Sequence, residues 1–181
     1  MSVSARGWVP VWPAWQRALH AVLALAVLLA LVTQEGGPVH EFSGYAAGAA
    51  ALLRLLAGLW GPPAARLSAF VRGPAVTWAY ARRLWQGRAE RHLNHNPLGA
   101  WMVLALLLLS AGAACTGALY VTDRFWGEAW VIGAHAWLGW PLLAAVPAHW
   151  AGVWHSGRLH RENLALAMLT GRKPVRPDDR P

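Results

Sequence analysis

The sequence predicts an all-α integral membrane protein, a bundle of four transmembrane helices with both termini in the cytoplasm. The 181 residues are 56% hydrophobic and only 13% charged, which is a membrane composition rather than that of a soluble domain. Four apolar runs, 15–33, 42–60, 98–121 and 131–154, each hold about 20 residues, enough to cross a hydrocarbon core about 30 Å thick. Apart from Arg54 and Arg124, every Lys and Arg lies in the N-terminal segment, the 61–95 loop or the C-terminal segment. Connections rich in basic residues stay in the cytoplasm, so both ends of the chain are expected there.

The first run follows Arg6 and Arg17 and is short enough to mimic a signal peptide. It ends in Thr33-Gln34-Glu35-Gly36-Gly37 without a small-x-small cleavage site, so it reads as a retained span. The short connection 34–39 makes the first two spans antiparallel neighbours. The second run ends near Arg54 and passes into the polar cytoplasmic loop 61–95, which keeps the mean hydropathy only modestly positive. In that loop Trp78 and Trp85, with Arg82 and Arg83 beside them, fit either a helix lying on the membrane surface or an ordinary cytoplasmic helix. Asn96 is placed to cap the third helix, with Pro97 in its first turn. The fourth run contains Pro141 and Pro147, and a kink at Pro147 would re-aim the nearby His149. Residues 1–173 read as one membrane domain and 174–181 as a flexible tail.

Most of the 13 tryptophans fall near span ends, where amphipathic rings favour the headgroup zone; Trp12, Trp15, Trp60, Trp126, Trp130 and Trp154 are examples. The loops opposite the basic ones carry Glu35, Glu41, Asp123 and Glu128 against Arg124 alone. The formal charge of +8 therefore follows from topology and attraction to anionic lipid, and nucleic acid is not an expected partner.

Histidines carry the functional signal. His135 and His149 lie in the last apolar run, where hydrocarbon penalises them unless something binds them. They are fourteen positions apart, roughly 21 Å of helical rise and within about 40° of the same face. One helix thus presents two imidazoles at two membrane depths. Neutral imidazole is a good axial ligand for haem iron, and a bundle core is where helices hold such groups. Depth pairs His20 with His149 at the inner side and His40 with His135 at the outer side, so each pair joins different helices. These four are the expected iron ligands of two haems. His155 lies off the ligand face, His160 lies beyond the apolar span, and His92 and His95 fall in the inner loop; His95 reads by default as solvated.

Gly44 and Gly48 follow His40 by four and eight positions, where a side chain would collide with a flat macrocycle or, equally, where two helices pack closely. Gly112 and Gly117 suit either role in the third span. Arg17 and Arg54 stand near the inner haem position and suit its propionates, or snorkel to lipid headgroups. Cys115 is the sole cysteine, which excludes an internal disulfide, a four-cysteine iron–sulfur site and the C-x-x-C-H attachment of covalent haem. Any haem is therefore b-type and non-covalent. A phosphate-binding glycine loop, a nucleophile elbow and an H-E-x-x-H zinc motif are absent from the sequence, and the span interiors hold no carboxylate for a proton pump.

Several stretches carry a family resemblance: Trp15-Gln16-Arg17-Ala18-Leu19-His20, His40-Glu41-Phe42-Ser43-Gly44-Tyr45, Phe70-Val71-Arg72-Gly73-Pro74, His95-Asn96-Pro97-Leu98-Gly99, and His160-Arg161-Glu162-Asn163-Leu164 through Thr170-Gly171-Arg172-Lys173. From Trp12 to about Lys173 the chain resembles the bacterial cytochrome b561 family, which overlaps with the cytochrome b subunit of nickel hydrogenases. The resemblance implies four transmembrane helices, two haems b each held by two histidines, and electron exchange between quinone and a redox partner. It maps His20, His40, His135 and His149 onto the family's ligand positions. Expected partners are membrane lipid, quinone, a periplasmic cytochrome c or a dehydrogenase- or hydrogenase-type enzyme, and a second copy of the chain in a homodimer. Whether the chain is itself an enzyme or the haem subunit of one stays open. The other functional class is a non-redox carrier or assembly anchor whose histidines only bond between helices.

Overall fold

A computed structural model of the chain describes residues 7–62 and 65–176. Arg6, Arg180 and the rest of 177–181, most of the expected tail, lie outside the described residues. The chain runs β1 (Trp8–Pro10), α1 (Ala14–Val32), α2 (Pro38–Trp60), α3 (Leu67–Phe70), α4 (Pro74–Trp85), α5 (Pro97–Tyr120), α6 (Ala129–Leu159), α7 (Leu164–Thr170) and β2 (Arg172–Pro174). Four helices, α1, α2, α5 and α6, are long and apolar enough to cross a membrane.

Local chemistry sets where these helices begin and end. Thr33 closes α1 by donating its hydroxyl to Leu29 O at 2.7 Å. Gly36 and Gly37 then turn the chain with φ of +94° and +90°, a region glycine enters without steric cost. Pro38 follows at the first helical position, where its missing N–H costs nothing. The second helix accordingly starts at 38 rather than 42, and His40 sits in its first turn. Asn96 caps α5 as expected, accepting from Gly99 N at 2.7 Å. At 31 residues α6 is about 46 Å long, more than the hydrocarbon thickness, so part of it stands clear of lipid.

The helices pack in the order α1–α2–α5–α6, while the backbones of α1 and α6 stay apart and the two helices meet through side chains. Ala47, Ala50 and Ala51 bury the inner face of α2, and small side chains let backbones approach. Gly48 marks the closest point: a Cβ there would lie 2.5 Å from the Cβ of Ala114 on α5. The core where α1, α2 and α6 meet consists of Ala26, Val27, Ala47 and Leu142.

One end of the bundle carries a cover that hydropathy did not suggest. β1 and β2 pair antiparallel, Val9 opposite Lys173, so both ends of the described chain lie together. Glu162 accepts from Arg91 Nη2 at 3.0 Å and from Lys173 Nζ at 3.4 Å, with all three side chains at most 10% exposed. Lys173 also donates to His92 O, and Arg91 to Pro174 O. The first residues of the expected tail are held here too, since Val175 N donates to Gly7 O and Arg176 to His160 O. Beside the cover, α4 exposes Trp78 and Trp85 almost fully.

Candidate functional site: two histidine cavities

Two cavities lie along the seam between α1 and α6, with α2 and α5 completing their walls. The first, at the end formed by the 34–37 turn and the 121–128 loop, measures about 590 Å³ and is lined by His40, His135, Gly44, Tyr45, Gly117 and Trp126 among others. We call this the loop end. The second, under the β1–β2 ribbon, measures about 160 Å³ and is lined by His20, His149, Arg54, His95, Gln16 and Trp12 among others. Every histidine that depth had paired therefore shares a cavity with its partner.

At the loop end the geometry is specific. The His40 and His135 ring centres are 6.0 Å apart, with the planes at 74°. His40 Nδ1 stands 3.1 Å from Ala30 O, and His135 Nδ1 stands 3.0 Å from Ala113 O. A carbonyl only accepts, so Nδ1 carries a proton in both rings, and in a neutral imidazole that leaves Nε2 as the lone-pair nitrogen. Thr116 Oγ1, 3.1 Å from the same His135 nitrogen, adds a second restraint. Gly117 admits the ring: a Cβ there would meet His135 Cε1 at 3.3 Å. Two imidazoles that line one cavity, each with Nδ1 turned to a backbone carbonyl, are a donor set that would hold a haem iron. The residues present fit a metal held between two imidazoles. Gly44 lines this cavity and has nothing within 4 Å of an added Cβ, whereas Gly48 serves the α2–α5 contact.

The chain matches the family model of prokaryotic cytochrome b561 over residues 11–171. It belongs to that family. No curated protein and no solved structure matches it. Family membership implies b-type haem and haem-based electron transfer across the membrane, and the cavities of this cytochrome lie where such groups suit a helix bundle.

The ribbon-end cavity is smaller and mostly apolar, with a few polar side chains on its wall. Arg54 lines it and donates to Ala65 O at 3.0 Å. Arg17 does not line it, and instead donates Nη1 to Leu169 O near the end of α7, with its Nε buried and unpartnered among the described residues beside Gly171. His95 departs furthest from expectation. Rather than being solvated, its ring lies between Phe70, 4.7 Å away, and Trp12, 6.1 Å away, and it faces the same cavity as His20 and His149. Burial, then the charges of Arg54 and Lys173, push it down to about pKa 4, so it is neutral at physiological pH. The start of α5 at Asn96-Pro97 was the available signal, because a capped helix pins the residue just before it at the bundle's end. His92 packs on Tyr80, His155 is exposed, and neither lines either of these two cavities.

Proposed function

We propose that this cytochrome carries electrons across the bacterial inner membrane through two non-covalent b haems, between the quinone pool and a periplasmic redox partner. His40 and His135 hold the loop-end haem, and His20 and His149 hold the ribbon-end haem. A bound b haem supplies a one-electron iron couple. The single observation that carries the reading is the 6.0 Å imidazole pair whose Nδ1 atoms are both directed to backbone carbonyls, since that leaves two Nε2 lone pairs for iron.

Charge supports the orientation. The ribbon end gathers Arg72, Arg82, Arg83, Arg88, Arg91 and Arg172, so it is the cytoplasmic face, with both termini inside. Arg54, on the wall of the ribbon-end cavity, offers a cation to a propionate there. His95 and Arg54 also give a quinone carbonyl its polar contacts on this side. At the loop end, Tyr120 stacks on Trp126 at 5.3 Å and Phe125 meets Trp130 at 5.6 Å, which stiffens the short loop that a periplasmic cytochrome c or enzyme would approach.

Haem counting by pyridine haemochrome tests the assignment. His135→Ala lowers two haems per chain to one by losing the loop-end haem, and His149→Ala loses the other. Retention of both haems in both variants would sink it. His95→Ala, with both haems in place, slows reaction with quinone and leaves reaction with a soluble periplasmic donor unchanged. The competing reading, a carrier or anchor with structural histidines, requires membranes that show no b-type absorption.

A further inference from the structure

The helix α4 packs one face on the protein and leaves the rest uncovered. Tyr80 is buried on the packed face, with Thr77, Ala81 and Leu84 half-buried around it. Trp78 and Trp85 are 77% and 93% exposed, yet their spacing of seven positions brings them within about 20° of each other round the helix. Arg82 lies about 40° from Trp78 on the same stripe, exposed and without an ion pair among the described residues. Arg83, about 140° from Trp78, turns away and pairs with Glu90 at 3.0 Å.

Height bears on what the stripe meets. Trp101 Nε1 donates to Arg72 O at 3.0 Å, just before Pro74 opens α4. Trp101 lies only about 6 Å along α5, which begins at Pro97. The start of α4 is therefore tied to the level at which α5 enters hydrocarbon, where indoles favour the headgroups. Trp60 and Trp154, exposed on α2 and α6, mark the same end of the bundle. Charge narrows the partner further, because residues 66–88 hold five arginines and no acidic residue. Such a segment is drawn to an anionic surface.

We propose that α4 is a docking helix for anionic phospholipid: Trp78 and Trp85 sink into the headgroup layer beside the bundle, and Arg82 between them takes a lipid phosphate. The inference is independent of what the two cavities hold. An indole has an apolar body and a polar N–H, which suits the boundary between acyl chains and headgroups. A guanidinium donates two parallel hydrogen bonds to phosphate oxygens. The tie to Trp101 favours lipid over a soluble protein, which would need the stripe held clear of the headgroups.

The test is nitroxide labelling of the full-length holoprotein, reconstituted in phosphatidylcholine vesicles with or without phosphatidylglycerol. Cys115→Ala removes the sole native thiol, and Ala75→Cys or Val76→Cys supplies the label site. The two positions are adjacent and both exposed, but Ala75 lies about 20° from Arg82 on the stripe, whereas Val76 lies about 160° from Trp78. Collision of the label with oxygen against a water-soluble nickel chelate should report lipid at 75 and water at 76. Phosphatidylglycerol should raise the ratio of docked to undocked label at 75 about fivefold, the factor for one basic residue at an anionic surface. Arg82→Glu should abolish that rise with haem content unchanged. Water at both positions overturns the proposal, and is the result expected of a helix that serves a soluble partner; lipid at both overturns the assigned face. A label at 75 equally docked in both lipids, or an Arg82→Glu chain that still responds to phosphatidylglycerol, overturns it too. Where the label at 75 displaces haem, Gln86→Cys, exposed and about 40° from Arg82, carries it instead, and the same outcomes decide.

Discussion

At the loop end the facing imidazoles are held by backbone, whereas at the ribbon end the cavity is enclosed by side chains drawn from distant parts of the chain. His40 and His135 point Nδ1 at carbonyls of α1 and α5, beside glycines that leave space, and the cavity is about 590 Å³. The ribbon-end cavity is about 160 Å³, carries Arg54 and His95, and lies beneath Trp12, Phe70 and the Arg91–Glu162–Lys173 cluster. Ligand geometry set by helix carbonyls is as rigid as the helices themselves. Enclosure by a polar cover depends on charges that must stay paired. The two sites should therefore fail separately and for different reasons.

The largest expected effect breaks the cover. Glu162→Gln leaves Arg91 and Lys173 without their shared buried carboxylate, a loss of about 3–5 kcal/mol when a buried pair is broken. Limited proteolysis should then cut the 61–95 segment faster, with the loop-end haem retained; equal loss at both ends would erase the contrast. Next, Gly48→Val forces a side chain into Ala114 and should cost about 1–3 kcal/mol of thermal stability. Gly44→Ala, with open space around it, should leave stability unchanged and act only on haem content at the loop end. Thr116→Val removes one restraint on His135, and loop-end haem affinity should fall about 10–100-fold while the ribbon-end haem stays bound.

The smallest effect is in pH. His95 titrates near 6.5 when unfolded and about 4 when folded, so between those values the unfolded chain binds more protons. Its contribution to ribbon-end stability is complete above about 6.5 and is lost as pH falls toward 4. Ribbon-end haem retention should fall across that window, loop-end retention should not, and His95→Gln should flatten the difference.

The spans were legible in the sequence because crossing hydrocarbon demands about 20 apolar residues in a row, a local property. The depth of each histidine was legible for the same reason, since helical rise converts position into height, and the structure duly brings the His40 and His135 rings to 6.0 Å. Asn96 was legible as a cap because capping acts over three residues.

Sequence alone thus determined that four helices cross, where each begins within a few residues, and which histidines stand at matching heights. Tertiary structure decided which glycine meets a helix and which a cavity, for Gly44 and Gly48 differ only in what faces them. It decided that Arg17 reaches Leu169, 152 positions away, and that His95 turns inward between two aromatic rings. The physical reason is the same in each case: hydropathy and helical period act along one segment, whereas these contacts exist only where segments distant in sequence meet, and no local pattern encodes which side chain will stand opposite.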